Sequence, residues 1–539
     1  MNRNFLTGFA SASLLVASAI HAQATTGTSS VISRIQAIGI DSSRTEQLSH
    51  ALFDSLGPRL TGSPDLKRAN DWLVNTYKSW GIEARNEKIG TWRGWRRGYS
   101  HIDLITPRVR SLEGTMLGYS PGTGKKDLTA TTIILPRFAD STEFVKWLPN
   151  AKGKFVLVSA PLPTCRPRED WATNATPESN EKMDSLRARV AREWTSRNIR
   201  GTGYNLALGT GDLGMRMEQA GIAGMITSRS KDAWGTIEIF ETYNVRAPAI
   251  ALSCEDYGLV FRLTESGAKP QIRMNLDAEL LGEQPIYNTV AMIRGSEKPD
   301  EYVVLSAHFD SWDGSSGATD NGTGTITMLE AMRILKQVYP KPRRTIVVGH
   351  WAGEEEGEVG SRAFTEDHPE VLKGLQALFN QDNGTGRIVR IGGAGLPNAA
   401  EHMNAWIAAL PPQMQLENLY RGPGLPAGGG SDDFAFACYG LPAFGLGALN
   451  WDYGSYTWHT NRDTYDKVVF DDLKSNATLT AMLAYLASED PTFITRERVD
   501  LAALAASQPP ADAQRRRGGF PTTWPACTKA ARQTAPRLK

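Results

Sequence analysis

Three apolar stretches in this sequence each end on residues that bind divalent metals. Tyr302-Val303-Val304-Leu305 leads to His308-Phe309-Asp310 and then to the turn Gly317-Ala318-Thr319-Asp320-Asn321-Gly322. Such a β-branched run reads as a buried strand. In an open α/β sheet, functional groups gather at the carboxyl ends of the strands. A second stretch ends at His350-Trp351-Ala352-Gly353-Glu354-Glu355, and a third at Phe379-Asn380-Gln381-Asp382. Further on comes Trp458-His459-Thr460-Asn461-Arg462-Asp463-Thr464. Imidazoles together with carboxylates suit zinc, which accepts both N and O ligands.

The spacing allows roles to be divided. Two cations about 3.5–4 Å apart need a shared anion to screen their repulsion, and Asp320 can supply it. Each cation then needs an imidazole and a carboxylate of its own. Adjacent residues at a strand end point in different directions. One of Glu354 and Glu355 can therefore bind metal while the other faces the substrate as a general base. Asp310, two residues past His308 on an extended segment, can hold the imidazole tautomer. His350 and His368 read as structural, Glu356 and Glu358 as solvated, and Asp313 and Glu330 as surface residues.

The elements that must position these groups are legible around them. Leu48, Leu52 and Leu56 mark a helix that ends at Gly57-Pro58, and Leu66, Ala69, Leu73, Tyr77 and Trp80 mark another that stops at Gly81. The basic-aromatic cluster Trp92, Arg93, Trp95, Arg96, Arg97 reads as a sheet edge with an exposed charged face. From about Thr115 the texture becomes short β-rich pieces, with one charged amphipathic helix carrying Met183, Leu186, Val190 and Trp194. From Tyr287 strands and helices alternate through a helix at 471–486, the pattern of an α/β, three-layer, mostly parallel sheet with helices on both faces. The expected organisation is 1–24 signal peptide, 25–114 first part of the catalytic domain, 115–278 a β-rich insert, 279–490 the metal-binding domain, and 491–539 an extension, partly disordered or loosely attached.

A chain of 539 residues exceeds one compact core. Its 59 Lys plus Arg against 58 Asp plus Glu give no electrostatic reason to expect nucleic acid or an anionic membrane as partner. Arg3, the apolar Phe5–Ile20 region and Ala22-Gln23-Ala24 read as a cleavable secretory signal. No later run is long enough to span a bilayer, so an exported protein, periplasmic or secreted, is expected. Cys165, Cys254, Cys438 and Cys527 leave three pairings open.

In order, Gly-Ala-x-Asp-Asn at 317–321, Glu-Glu-x-Gly-x-x-Gly-Ser at 354–361 and His-Thr-x-x-Asp-Thr at 459–464 resemble the co-catalytic di-zinc exopeptidases, metallopeptidase family twenty-eight. That family includes bacterial secreted aminopeptidases and plasma glutamate carboxypeptidases. The resemblance covers roughly Gln284–Glu489 plus the helices before Trp92, and the intervening segment resembles the protease-associated insert domain of many members. It implies two zinc ions, one held by His308 and Asp382, the other by Glu355 and His459, with Asp320 bridging. It also implies Glu354 as the base that deprotonates a metal-bridging water, peptides as substrates, and a Ser431-Asp432 loop that helps to bind a substrate terminus. Two departures stand out. Trp458 replaces the tyrosine that many relatives carry before the last histidine, so Tyr453 or Tyr456 can take over as oxyanion donor. Asp433 replaces a histidine after the Ser-Asp pair. A single-zinc glutaminyl cyclase on the same fold and a non-catalytic receptor-like protein are the alternatives; the complete ligand set and the general base argue against the second.

Overall fold

The computed structural model describes residues 28–195, 212–229, 231, 233–417, 419–507 and 520–534. The signal-peptide region 1–24 and the arginine run 515–517 lie outside them. Strands in chain order are β1 Glu83–Thr106, β2 Arg110–Ser111, β3 Gly114–Met116, β4 Leu128–Ile134, β5 Phe155–Leu157, β6 Gly224–Thr227, β7 Ala249–Leu252, β8 Gln271–Ile293, β9 Lys298–His308, β10 Arg344–Trp351, β11 Leu375–Asn380, β12 Ile388–Ile391 and β13 Ala443–Ala448.

The part that carries the ligands is the sheet β12-β13-β11-β9-β10-β8, with β1 pairing along β8. Its centre, β13-β11-β9-β10, is parallel; β12 and β8 flank it antiparallel. The sheet is therefore mixed, with the expected parallel core. β10 and β11 are buried along their whole length, the condition under which apolar runs replace polar–apolar alternation. Side chains of β9 divide by the two-residue period. Val303 and Leu305 pack with Ile326, Leu329 and Leu483, from the helices Thr323–Val338 and Phe470–Glu489. Val304 packs on the other face with Trp351, Phe364 and Phe436, the last two from Val359–Asp367 and Phe434–Ala437. Helix, sheet and helix form the three layers. The helix Pro64–Ser79 starts where Ser63 accepts from the Leu66 amide, with Pro64 in its first turn.

β1 and β8 are longer than the sequence suggests. They form one antiparallel ribbon from Glu83 opposite Met292 to Thr106 opposite Gln271. At its far end β8 pairs with β4, starting a second sheet segment, β4-β5-β6-β7-β3. This inserted region is less strand-rich than expected: β4 to β7 run parallel, and helices Ser141–Ala151, Asp212–Gln219 and Cys254–Glu265 alternate with them. The helix Pro177–Thr195 buries little beyond Trp194, which packs edge-on against Phe261.

The Trp92–Arg97 cluster is on β1, but it is not an exposed charged face. Trp92 and Trp95 are buried, Arg93 pairs with Glu241 and Arg97 with Asp313. Those partners lie across the ribbon, in the insert and in the loop after β9, so the cluster latches the two parts together. Asp313 and Glu330 are correspondingly buried, Glu330 against Arg333. Their surface placement from sequence fails because each has an arginine within reach.

Disulfides join Cys165 to Cys254 and Cys438 to Cys527. The second pins the C-terminal segment 520–534, which the sequence suggests is loosely attached. Trp524 donates to Ala437 O, the Thr91 amide to Arg532 O, and Arg532 pairs with Glu366 and Asp367. Among the described residues, no helix is long and apolar enough to cross a membrane.

Candidate metal centre and active site

The ligand-type residues converge at the carboxyl ends of the parallel strands. His308 ends β9, Glu354 and Glu355 follow β10, and Asp382 follows β11. His308 Nε2 lies 3.3 Å from Asp382 Oδ1 and 3.3 Å from Asp320 Oδ1. His459 Nε2 lies 3.3 Å from Asp320 Oδ2 and 3.0 Å from Glu355 Oε2. Asp320 thus reaches one imidazole with each carboxylate oxygen. Glu354 Oε2 is 4.0 Å from His308 Nε2, so geometry alone also groups it with His308 and Asp382 as a possible ligand. His308 and Asp320 are 1% and 5% exposed.

The electrostatics fit bound cations. Burial pushes Glu354 well above the ordinary carboxylate range and Glu355 up to about 7, with neighbouring acids adding to both. Burial works against protonation of the imidazoles, yet the surrounding carboxylates raise His308 well above its ordinary value and His459 to about 10. A buried group this rich in acid is short of positive charge. Asp320 Oδ2, Glu355 Oε1 and His459 Nδ1 are buried without a hydrogen-bond partner among the described residues. Unpaired buried oxygens beside imidazoles are the donor set that zinc accepts.

Asp310 acts differently from the simplest expectation. His308 Nδ1 meets the backbone carbonyl of Asp310 at 3.1 Å, whereas its carboxylate is 3.8 Å away. That carboxylate instead accepts from the Glu354 and Glu355 amides at 3.1 and 3.3 Å, and from the Thr61 hydroxyl. One residue orients both the imidazole and the two-glutamate turn.

Two positioning residues were not singled out from the sequence. Asp463, inside the His-Thr-x-x-Asp-Thr motif, accepts from the Thr319 and Asp320 amides at 2.6 and 3.0 Å. Its spacing from His459 is the signal that could have found it. Arg59 is fully buried, and it donates to Phe309 O, Ser316 O and Gly317 O at 2.7–2.9 Å. A lone arginine in a turn gives no such signal. Burial holds its pKa down at about 10.

Among the residues expected to meet substrate, Ser431 accepts from Asn380 at the end of β11, while Asp432 is buried and pushed well upward by that burial. Trp458 stacks on the His459 ring, with centroids 3.7 Å apart and planes at 22°. Tyr453 is half-buried, and burial, then Asp320, Asp382 and Glu355, push its phenol well above 10. Tyr456 is half-buried, and its carbonyl accepts from the Thr460 hydroxyl. Asp433, half-buried and beside Gly445, is pushed up to about 7 by burial and then by Asp382.

Glu356 and Glu358 are not solvated. Glu356 Oε1 lies 2.8 Å from the Tyr119 hydroxyl of the insert, and Glu358 pairs with Arg362 and accepts from the Gly430 amide. The turn after β10 folds inward between the sheet and the 431–433 loop, which an isolated acidic run does not reveal. His350 is structural, as expected. Tyr77, whose proton burial retains, lies 2.7 Å from Nε2 and donates there, and burial holds the imidazole down at about 3. His368 sits between Glu87 and Glu370.

Residues 288–484, which include every ligand-type residue above, match the sequence profile of Peptidase family M28. These residues form an M28 peptidase domain. Carboxypeptidase Q of Xenopus laevis is 27% identical over 77% of this chain and 79% of its own length. Carboxypeptidase Q of Bos taurus is 25% identical over 62% of this chain, and that match spans 63% of the bovine protein. Among solved structures, a Peptidase M28 precursor from Shewanella amazonensis superposes with a TM-score of 0.63 at 25% identity, covering 87% of this chain and 99% of the other. A zinc aminopeptidase from Bacillus subtilis shares the fold, with a TM-score of 0.54 at 18% identity over 84% and 97% of the two chains. The M28 domain is thus continuous with the sheet that carries the site, and the insert falls outside the matched residues.

Proposed function

We propose that the protein is an exported zinc exopeptidase, an aminopeptidase or dipeptidase, that uses two metal ions. The observation that carries this reading is Asp320 between two imidazoles, at 3.3 Å from each. His308 and Asp382 would hold one ion, His459 and Glu355 the other, and Asp320 would serve both. Bound zinc supplies Lewis acidity for the scissile carbonyl and for the attacking water. Glu354 takes the proton from that water and returns it to the leaving amine nitrogen, a task suited to a carboxylate whose pKa burial has raised. Tyr453 keeps its proton and is the donor available to the developing oxyanion in place of the tyrosine that Trp458 displaces. Ser431 and Asp432 lie on the loop that would receive a substrate terminus, and an acid at the next position, Asp433, would favour a positively charged terminus if it faces the pocket. The region 115–278 is read as a protease-associated-like insert that walls the cleft. Two disulfides support export into an oxidising compartment.

The test is hydrolysis of short peptides with free or blocked ends, before and after chelation and zinc return. Zinc-restored cleavage that requires a free amino end is expected, and carboxyl-blocked members separate aminopeptidase from dipeptidase. No cleavage of any member by the zinc-loaded chain would overturn the reading.

A further inference from the structure

We propose that segment 235–240 of the insert is part of the metal site: it holds His459 and so sets the zinc affinity of the Asp320–Glu355–His459 position. The proposal rests on the two-ion reading above. It begins from an asymmetry between the imidazoles. A metal-binding histidine almost always hands its second ring nitrogen to a carbonyl or carboxylate, which fixes the ring. His308 does so through Asp310 O. His459 Nδ1 is buried and, among the described residues, no group bonds it.

What holds the His459 ring instead is packing. Trp458 stacks on one face, the Phe240 ring stands edge-on at 4.9 Å, and Trp312 stands edge-on at 6.0 Å. Phe240 is the member contributed by the insert. It also contacts Trp312 at 5.4 Å, and Arg229 lies 4.3 Å over its ring.

The backbone is held from the same side. His459 has φ of 58°, a left-handed conformation uncommon outside glycine. Its carbonyl accepts from the Ile239 amide at 2.7 Å, and the Asn461 amide donates to Ile237 O at 3.0 Å. The Asn461 side chain closes the ladder, accepting from the Ile237 amide and donating to Gly235 O. Glu238 and Thr460 form an antiparallel bridge. The segment is in turn fixed to the insert: the Gly118 amide donates to Phe240 O, the Thr242 amide donates to Gly118 O, and Glu238 pairs with Arg229. Trp458 and Trp312 lie within the matched peptidase residues, but the Phe240 contact and the backbone ladder that hold His459 come from a segment outside them. Without docking of 235–240, this imidazole would have neither a hydrogen bond nor a full aromatic enclosure to orient it.

The experiment is titration of the metal-free full chain with zinc, and with cobalt followed by its visible absorption. Wild type is expected to take up two ions in two steps. Phe240→Ala should keep the first step and weaken the second by about 10–100-fold, the range for lost ligand-orienting contacts. Phe240→Tyr, which keeps the ring edge, should restore it, and the second cobalt band should change in Phe240→Ala alone of the pair. Asn461→Ala leaves the ring contacts but removes the two side-chain rungs of the ladder, and should weaken the same step; it carries the test if Phe240→Ala does not fold. Two ions bound with wild-type affinity by both alanine variants, or equal loss at both steps, would overturn the proposal alone. A wild-type chain that takes up one ion or none would overturn the two-ion reading and this proposal with it.

Discussion

The two halves of the metal centre are built by different means. The His308 half is set within the peptidase sheet by hydrogen bonds: Asp310 accepts from the imidazole with its carbonyl and from two glutamate amides with its carboxylate. The His459 half is set by aromatic packing and by a backbone ladder to the insert. Asp320 belongs to both, and its loop is tied to the His459 turn through Asp463. Hydrogen bonds raise ligand basicity as well as fixing direction. The His308 position is accordingly expected to fill first, and the His459 position to respond to whatever disturbs the insert.

The two halves meet at Asp320, and the largest effect is expected there. Asp320→Ala should abolish both binding steps and reduce peptide hydrolysis to background in the same titration and assay. Survival of either step at wild-type affinity would show that the halves do not share a ligand. Asp463→Asn should have a smaller effect. Each carboxylate oxygen accepts from one amide, so an NH₂ group in place of either oxygen leaves the Thr319 or the Asp320 amide facing a donor, and zinc affinity measured by competition with a chelator should fall about 10–100-fold.

Next comes the strap that supports the loop beside the His308 half. Cys438 follows the 431–433 loop and is joined to Cys527 across 89 residues. Cys527→Ser should cost about 2–4 kcal/mol of stability, read as a lower denaturant midpoint, with both zinc steps retained. The smallest effect concerns pH. His350 underlies the His308 half, and its folded pKa of about 3 is below the unfolded value. The fold therefore binds fewer protons than the unfolded chain between those two values. Its contribution is fully present above about 6.5 and is lost as pH falls, by about 1.4 kcal/mol per unit. Denaturation midpoints at pH 7 and pH 5 should differ less in His350→Gln than in wild type.

Much of the site was legible because His308, Glu354, Glu355 and Asp382 each follow an apolar strand. Val303–Leu305 and Thr345–Val348 announce buried parallel strands, and the groups past their ends have nowhere to go but the carboxyl edge of the sheet. The α/β alternation after Tyr287 was legible for the same reason. β1 and β8 were not, since their outer faces carry Arg, Glu and Gly and the apolar alternation is broken by register shifts. The inserted region hid its parallel strands because they are three to seven residues long. Buried charges such as Arg59 and Asp313 were missed because a charge in a sequence looks solvated until its partner, hundreds of residues away, is known. The hold of Phe240 on His459 was invisible for that reason too: 219 positions separate them, the difference between 459 and 240.

The most direct measurement concerns Glu354, the residue that geometry permits to be a ligand and that the account makes a base. Zinc content and peptide hydrolysis should be measured together on Glu354→Gln. Two zinc ions retained and turnover reduced by about 10²–10⁴-fold, the range for a lost general base, are expected. Loss of zinc in step with loss of activity would contradict that role and place Glu354 among the ligands.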